Sequence, residues 1–274
     1  MAFSFTKKLL KKNLFHLLKR RYWNIKYKNK LSIERFISLP FGKVLVRMNE
    51  DVGGNIYSEN THEAAETNFL SKNVKEDWTC IDIGANIGYF SLLLASKASN
   101  GTVIAIEPIE KNIEIIKKTI LENNVKNIFL EAAAIDSKDG YREFAILEDS
   151  AYSGFISTGR RGLKEKVSVR TVTPGSIVSK HGLTRIDLIK IDIEGSEMPI
   201  FESFKDVIMT MKPKYILSEC NESNMQNYGF NVEDFLMLLE SYGYNPNFLS
   251  NDGDIYDFDI SELNQLDNII FTRT

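Results

Sequence analysis

Short apolar runs alternate along most of the chain with stretches in which apolar residues recur every three or four positions. Trp78–Ile83, Thr102–Ile106, Asn127–Ala134, Ile186–Ile193 and Tyr215–Ser218 are near-continuous apolar runs of strand length. The segments between them carry helical spacing. One runs from Gly84 and Gly88 through Lys97, one places Ile113, Ile116 and Ile120 on one side, one begins near Ser196, and one covers Val232–Tyr242. Strands that are apolar on both faces, each leading into a helix, predict a parallel sheet covered by helices on both sides. The tail breaks the rhythm, with strand-like Asn247–Ser250 and Asn268–Thr272 separated by the turn Asn251-Asp252-Gly253. That pattern predicts an antiparallel pair added at one edge of the sheet. The expected fold is a doubly wound, Rossmann-like α/β sheet of seven strands.

Ahead of this core the pattern differs. Phe36–Met48 reads as strand, turn and strand around Pro40-Phe41-Gly42, and Thr61–Asn73 reads as a helix. Residues 5–23 read as an amphipathic helix with Leu10, Leu14, Leu17, Leu18 and Tyr22 near one face, although Lys11 and Arg21 intrude on it. The chain therefore divides into a helical extension over 1–35 and one domain over 36–274, in which 36–75 leads into a core over 76–274. With 274 residues, 43% of them hydrophobic and 26% charged, there is ample material for one large domain. The apolar runs fall far short of the roughly 18 residues needed to span a bilayer. Lysines interrupt the early leucines, so no secretory signal is expected. Cys80 and Cys220 both sit inside apolar runs and read as buried thiols of a reducing compartment, which makes a cytoplasmic location the expectation.

Charge changes the picture of the extension. Residues 1–30 hold ten Lys or Arg and no acid, leaving 24 basic against 37 acidic residues elsewhere, a net of −13. A basic head on an acidic body suggests a separate role for the head. Ten cations beside an apolar stripe that includes Tyr22 and Trp23 match a helix lying on an anionic membrane surface; a dimerisation helix and an RNA-docking arm are the rivals. The acidic body makes nucleic acid an unfavoured partner.

Candidate chemistry gathers where the strands end. In doubly wound sheets, ligands sit at the carboxyl ends of the strands, where strand order reverses. The turn Asp82-Ile83-Gly84-Ala85-Asn86-Ile87-Gly88 joins a strand to a helix and lets backbone approach a ligand closely. Glu107 ends the next strand, 25 residues after Asp82, where an acid can accept hydrogen bonds from both hydroxyls of a ribose. A dinucleotide site wants glycine where Asn86 stands, and the charge of Asp82 would repel a diphosphate. A ligand with a ribose, an ammonium and no phosphate fits better, and S-adenosylmethionine is one. The fourth run ends in Lys190-Ile191-Asp192-Ile193-Glu194-Gly195-Ser196-Glu197. Lys190, Asp192 and Glu194 would share one side if the strand stayed extended, whereas Glu197 also suits the first turn of a helix. A divalent cation on these acids is a less favoured alternative. His181, before the fourth run, and the segment 149–161 are further candidates for contact with a substrate, the segment being either a surface loop or a lid.

These motifs, Asp82-Ile-Gly-Ala-Asn-Ile-Gly-Tyr-Phe, Ile106-Glu-Pro108, Leu188-Ile-Lys-Ile-Asp-Ile-Glu-Gly-Ser-Glu197 and Pro213-Lys-Tyr-Ile-Leu-Ser-Glu219, resemble the FkbM family of class I methyltransferases in order and spacing across roughly residues 60–274. The resemblance implies S-adenosylmethionine as donor and O-methylation of a hydroxyl, often on a sugar, glycan or glycosylated metabolite. It places Asp82, Gly84, Ala85, Asn86, Gly88, Glu107 and Asp192 at the donor, together with Glu63, which falls where the family tends to put a helical Glu. Asp192 and Glu194 are the expected base and orienter for methyl transfer, with Lys190 holding the acceptor or a carboxylate. One departure stands out: Val172-Thr-Pro-Gly175 replaces the Leu-Asp pair usual before the fourth strand.

Overall fold

The computed structural model describes residues 16–28, 33–156, 162–259 and 267–273. Helix α1 (16–26) is followed by a hairpin of β1 (Glu34–Leu39) and β2 (Gly42–Arg47) and by helices α2 (Asp51–Glu59) and α3 (Ala64–Asn73). The alternating core then begins with β3 (Thr79–Ile83), α4 (Tyr89–Lys97), β4 (Thr102–Glu107), α5 (Glu110–Glu122) and β5 (Ile128–Ala132). A second small sheet interrupts it, formed by β6 (Ala134–Ile135), β7 (Gly140–Leu147) and β8 (Leu163–Val172). The core resumes with α6 (Pro174–His181), β9 (Leu188–Ile191), α7 (Glu197–Met211) and β10 (Tyr215–Cys220). Helices α8 (Glu222–Gln226) and α9 (Val232–Ser241) and strands β11 (Tyr244–Leu249), β12 (Ile255–Asp257) and β13 (Asp267–Arg273) complete it.

Among the described residues the main sheet has the order β12-β11-β13-β10-β9-β3-β4-β5. Strands β10, β9, β3, β4 and β5 are parallel, and β13 runs antiparallel between β10 and β11. The doubly wound sheet and its antiparallel edge are thus as expected, and the three-residue β12 adds an eighth strand. From β3 the chain moves outward to β4 and β5, then returns to β9 on the other side of β3. Loops leaving β3 and β9 therefore diverge and open a crevice at their carboxyl ends.

The period of two in the buried strands fills both faces of the sheet. Cys80, Leu188 and Leu217 join the side packed by α3 and α4, while Ile81, Ile83, Ile189, Ile191 and Ile216 join the side packed by Phe201, Phe204 and Phe235 of α7 and α9. Both cysteines are buried free thiols.

The extension is not a separate body over the residues described. Trp23 is fully buried in the same core as Met48, Phe69 and Leu93, with its indole nitrogen donating to the Met48 carbonyl at 2.6 Å. This corrects the placing of Trp23 on an exposed stripe: its ring lies over Gly54 of α2, where a Cβ would come within 2.4 Å of ring atoms. Leu17, Leu18 and Tyr22 are exposed. The part of the expected helix before residue 16 lies outside the described residues. Among those residues, no helix is long and apolar enough to cross a membrane.

Candidate active site

A cleft of about 210 Å³ lies at the carboxyl ends of β3, β4, β9 and β10. The turn after β3 forms its floor. Gly84 and Ala85 donate to the Ile106 carbonyl, both at 3.0 Å, which ties the turn to β4. Gly84 has φ +77°, and a Cβ there would fall 2.0 Å from the Asp192 carbonyl oxygen, so the crossing with the loop after β9 requires glycine.

Glu107 closes one end. One carboxylate oxygen accepts from the Asn86 backbone at 2.8 Å; the other accepts from the Ile109 backbone at 2.9 Å and the Asn112 amide at 3.2 Å. Burial nevertheless pushes its pKa up to about 7. Asn112 continues the network by accepting from Arg47, which also pairs with Glu50 at 2.7 Å and donates to the Ser150 hydroxyl at 2.7 Å. The ribose-type acid is thereby linked to the segment after β7.

At the other end, β9 stops at Ile191, so the alternation expected through Glu194 is lost. Lys190 turns inward, 3% exposed, with its ammonium 4.5 Å over the Phe90 ring and 3.5 Å from Asp192. It is absent from the cleft wall and holds the Asp192 carboxylate, so of the two roles expected for it, on an acceptor or on a carboxylate, the second is the one seen. Burial works against its charge, but Asp192, Glu63, Asp82 and Glu66 outweigh burial and raise its pKa. Lys190 is the buried counter-charge of the acids around it. Asp192 and Glu194 do face the cleft. Glu194 accepts from the Asn224 amide at 2.7 Å and holds φ +58°, a left-handed conformation unusual for a side-chain-bearing residue.

Glu63 also reaches the wall, from the left-handed residue that caps α3. His62 lies 3.5 Å from one of its oxygens, and the other is buried without a hydrogen-bond partner. Burial, with help from Asp192 and Asp82, pushes Glu63 up to about 7, and burial beside Lys190 holds His62 down to about 4, so the histidine is neutral. Asp82, Ala85 and Gly88 are not on the wall. The sequence reading placed Asp82 at the donor, but it is buried beneath the turn and accepts from Ser91 at 2.6 Å, so it braces the turn from behind the wall. His181 is likewise away from the cleft, bound to Glu131 at 2.7 Å. From the segment 149–161, Ser150, Ala151, Tyr152, Ser153 and Phe155 form part of the wall, which favours the lid over the plain surface loop; 157–161 lie outside the described residues.

Sequence reasoning missed Asp51, Val52 and Asn55 of α2, His62, and Glu219 as a wall residue. Glu219 is the penultimate residue of β10, and an acid so near a strand's end is a signal that could have found it; nothing in the spacing of α2 pointed to the cleft. Asp192, Glu194 and Glu219 bring carboxylate oxygens within 4.8 Å of one another; Lys190 engages Asp192 and Asn224 engages Glu194.

The described residues on the wall include the acids Asp51, Glu63, Glu107, Asp192, Glu194 and Glu219, and no Lys or Arg. Its ionised acids repel phosphate and attract an organic cation, and Glu63 and Glu107 join them above about pH 7. The partnerless oxygens of Glu63 and Asn86 need N–H or O–H donors. An ammonium and ribose hydroxyls supply them, so the residues present fit S-adenosylmethionine.

Comparison with known proteins finds a matching family. The profile of the family described as "Methyltransferase FkbM domain" matches residues 82–246. The AMB antimetabolite synthetase AmbE of Pseudomonas aeruginosa is 26% identical over 202 residues, covering 61% of this chain and 10% of that protein, so the chain spans only a tenth of this relative's length. Among solved structures, the precorrin-6y C5,15-methyltransferase of Geobacter metallireducens shares 14% identity over 78% of this chain and 89% of its own, with a TM-score of 0.44. M. jannaschii TYW2, solved with AdoMet, shares 13% over 89% of both chains, also at 0.44.

Proposed function

The chain belongs to the FkbM family of methyltransferases, and on that premise we propose that it transfers a methyl group from S-adenosylmethionine to a hydroxyl oxygen of an uncharged sugar or glycan. The observation that carries this reading is that the described residues of the cleft wall include six acidic side chains and no Lys or Arg. A cationic donor and a neutral acceptor suit such a wall, and a polyphosphate or an RNA backbone does not.

When bound, S-adenosylmethionine supplies a methyl group made electrophilic by its sulfonium. Glu63, Asn86 and Glu107 are the groups to hold the donor, through the partnerless oxygens of the first two and the carboxylate at the end of β4. A sugar hydroxyl is a poor nucleophile, so a carboxylate must take its proton as the C–O bond forms. Asp192 has that role: it faces the cleft with 30% of its side chain exposed, and Lys190 behind it keeps it oriented. Glu194, fixed by Asn224, orients the hydroxyl. Tyr152 and Phe155 add aromatic side chains to the wall on the side left for the acceptor.

Two measurements test this. Calorimetry is expected to show binding of S-adenosylhomocysteine and none of NAD; the reverse overturns the donor. Transfer of labelled methyl to a panel of free sugars, nucleotide-sugars and lipid-linked glycans, with and without EDTA, is expected to label a neutral sugar unit in both conditions. Labelling confined to RNA would overturn the acceptor class, and loss of transfer with EDTA would put a cation on Asp192, Glu194 and Glu219.

A further inference from the structure

Helix α1 carries two apolar faces, and the domain covers one of them. On the covered face Trp23 is fully buried and Tyr27, just past the helix end, is 6% exposed. His16 bonds the Ser58 carbonyl at 2.6 Å, Arg20 bonds Asn55, and Lys28 pairs with Asp51 at 3.5 Å. The helix is thus fastened along α2. Leu18, Tyr22, Ile25 and Leu17 lie on the side turned away from Trp23, Leu18 and Ile25 at its centre and the other two on its flanks, at about 100° per residue. They are 57%, 46%, 68% and 66% exposed, respectively. A row of four large exposed apolar side chains on three helical turns, with Arg21 between Leu17 and Ile25 and Lys26 beside Tyr22, has the make-up of a helix that lies in a membrane interface.

We propose that this outer face of α1 docks the protein on an anionic bilayer surface. Charge selects the occupant. Residues 1–30 hold ten cations and no acid, whereas the rest of the chain carries a net −13, so an anionic surface attracts this end and repels the remainder. Contact with a bilayer is therefore oriented, with α1 underneath. A symmetric pairing of two copies through the same face would set one acid-free basic segment against another. A nucleic acid would leave the row of Leu and Ile without an apolar partner. A bilayer satisfies both, its headgroups meeting the cations and its acyl boundary meeting Leu17, Leu18, Tyr22 and Ile25.

The docking surface is also close to the cleft. Helix α2 lies between them: it carries α1 on one side and contributes Asp51, Val52 and Asn55 to the cleft wall. Two helix layers separate the bilayer from that wall, about 20 Å, within reach of a glycan carried on a lipid. The docking itself does not depend on the acceptor proposed above.

Co-sedimentation of the full chain with phosphatidylcholine vesicles, and with vesicles that also contain phosphatidylserine, tests the proposal. The protein is expected to pellet with the anionic vesicles at low salt, to be released by high salt, and to stay in solution with the neutral ones. The variant Leu18→Glu/Ile25→Glu changes only exposed side chains; its melting temperature should match the wild type while its vesicle partitioning falls roughly tenfold or more. Wild-type protein remaining in the supernatant with anionic vesicles at low salt would overturn the proposal, as would undiminished binding by the folded variant. Sedimentation velocity without lipid adds a third arm: a wild-type dimer that the variant converts to monomer would assign the face to a second copy of the chain instead.

Discussion

Asp192 stands where β9 has just ended, with the cleft in front of it and the buried ammonium of Lys190 3.5 Å behind. Replacing its carboxylate by an amide keeps the shape and removes the proton acceptor. Asp192→Asn is expected to lower single-turnover methyl transfer about 100-fold or more and to leave donor affinity nearly unchanged in calorimetry; wild-type turnover would remove Asp192 from the chemistry. Glu63 is the complementary case. Its pKa of about 7 means that it gains its charge as pH rises through neutrality, so affinity for a cationic donor should climb between about pH 6 and pH 8. Glu63→Gln is expected to weaken donor binding roughly tenfold at the higher pH, about 1.4 kcal/mol, and to flatten the climb. An unchanged pH profile in that variant would place the donor's ammonium elsewhere. Asp192 was legible because an acid at a strand's end has few structural reasons to be there, whereas Glu63, which caps α3, was reached only through the family resemblance. Lys190 was legible as the partner of a carboxylate, whereas Asp82 was legible as a member of the cluster but not in its role. Which way a side chain points at the end of a strand depends on where extension stops, and spacing does not encode that.

At the scale of elements, the buried parallel strands were readable because both of their faces are apolar. Strands β7 and β8 were not. Their first four residues, Gly140–Glu143 and Leu163–Lys166, are exposed, and only part of each strand packs against the domain. With one end of each ribbon in water, the sequence there is free to be polar and carries little strand signal. The segment between them holds much of the cleft wall, so the acceptor side was the least legible part of the site. Helix α2 shows a different dependence on detail. Gly54 lets it close on Trp23, and that closure holds α1 to the domain. An alanine in a helix is worth about 1 kcal/mol over glycine, but here its methyl would sit 2.4 Å from the indole ring, and overpacking typically costs 1–3 kcal/mol. The steric effect should win, so Gly54→Ala is expected to lower the urea midpoint of unfolding. A midpoint equal to or above the wild type would mean that α1 shifts freely on α2.

For the whole molecule, the buried acids set how stability depends on pH. Glu107 and Glu197 lie inside the fold, and burial pushes them up to about 7 and about 8, against about 4.5 in an unfolded chain. Burial likewise raises Glu50, Glu66 and Asp82. Each of these groups keeps its proton in the folded chain at pH values where the unfolded chain has released it. The folded state therefore binds more protons between about pH 4.5 and pH 8, and stability falls as pH rises through that window, levelling off above it. Glu131 pulls the other way: although burial resists its charge, bonds from Lys180, His181 and Arg170 lower its pKa. Its contribution is complete above the unfolded value and is lost only in acid, so stability should peak on the mildly acidic side of neutral. Glu197 tests the larger trend most directly. One of its oxygens accepts from the Ile193 backbone at 3.1 Å while the other is buried without a partner, and it is absent from the cleft wall. Glutamine keeps the accepting oxygen and never ionises. Glu197→Gln is expected to match the wild type near pH 5 and to exceed it at about pH 9 by on the order of 2 kcal/mol, read as a smaller fall in melting temperature across that range. If both proteins lose stability equally, the proton that governs the alkaline side belongs to Glu107 or to the other buried acids, and the same measurement on Glu107→Gln would locate it.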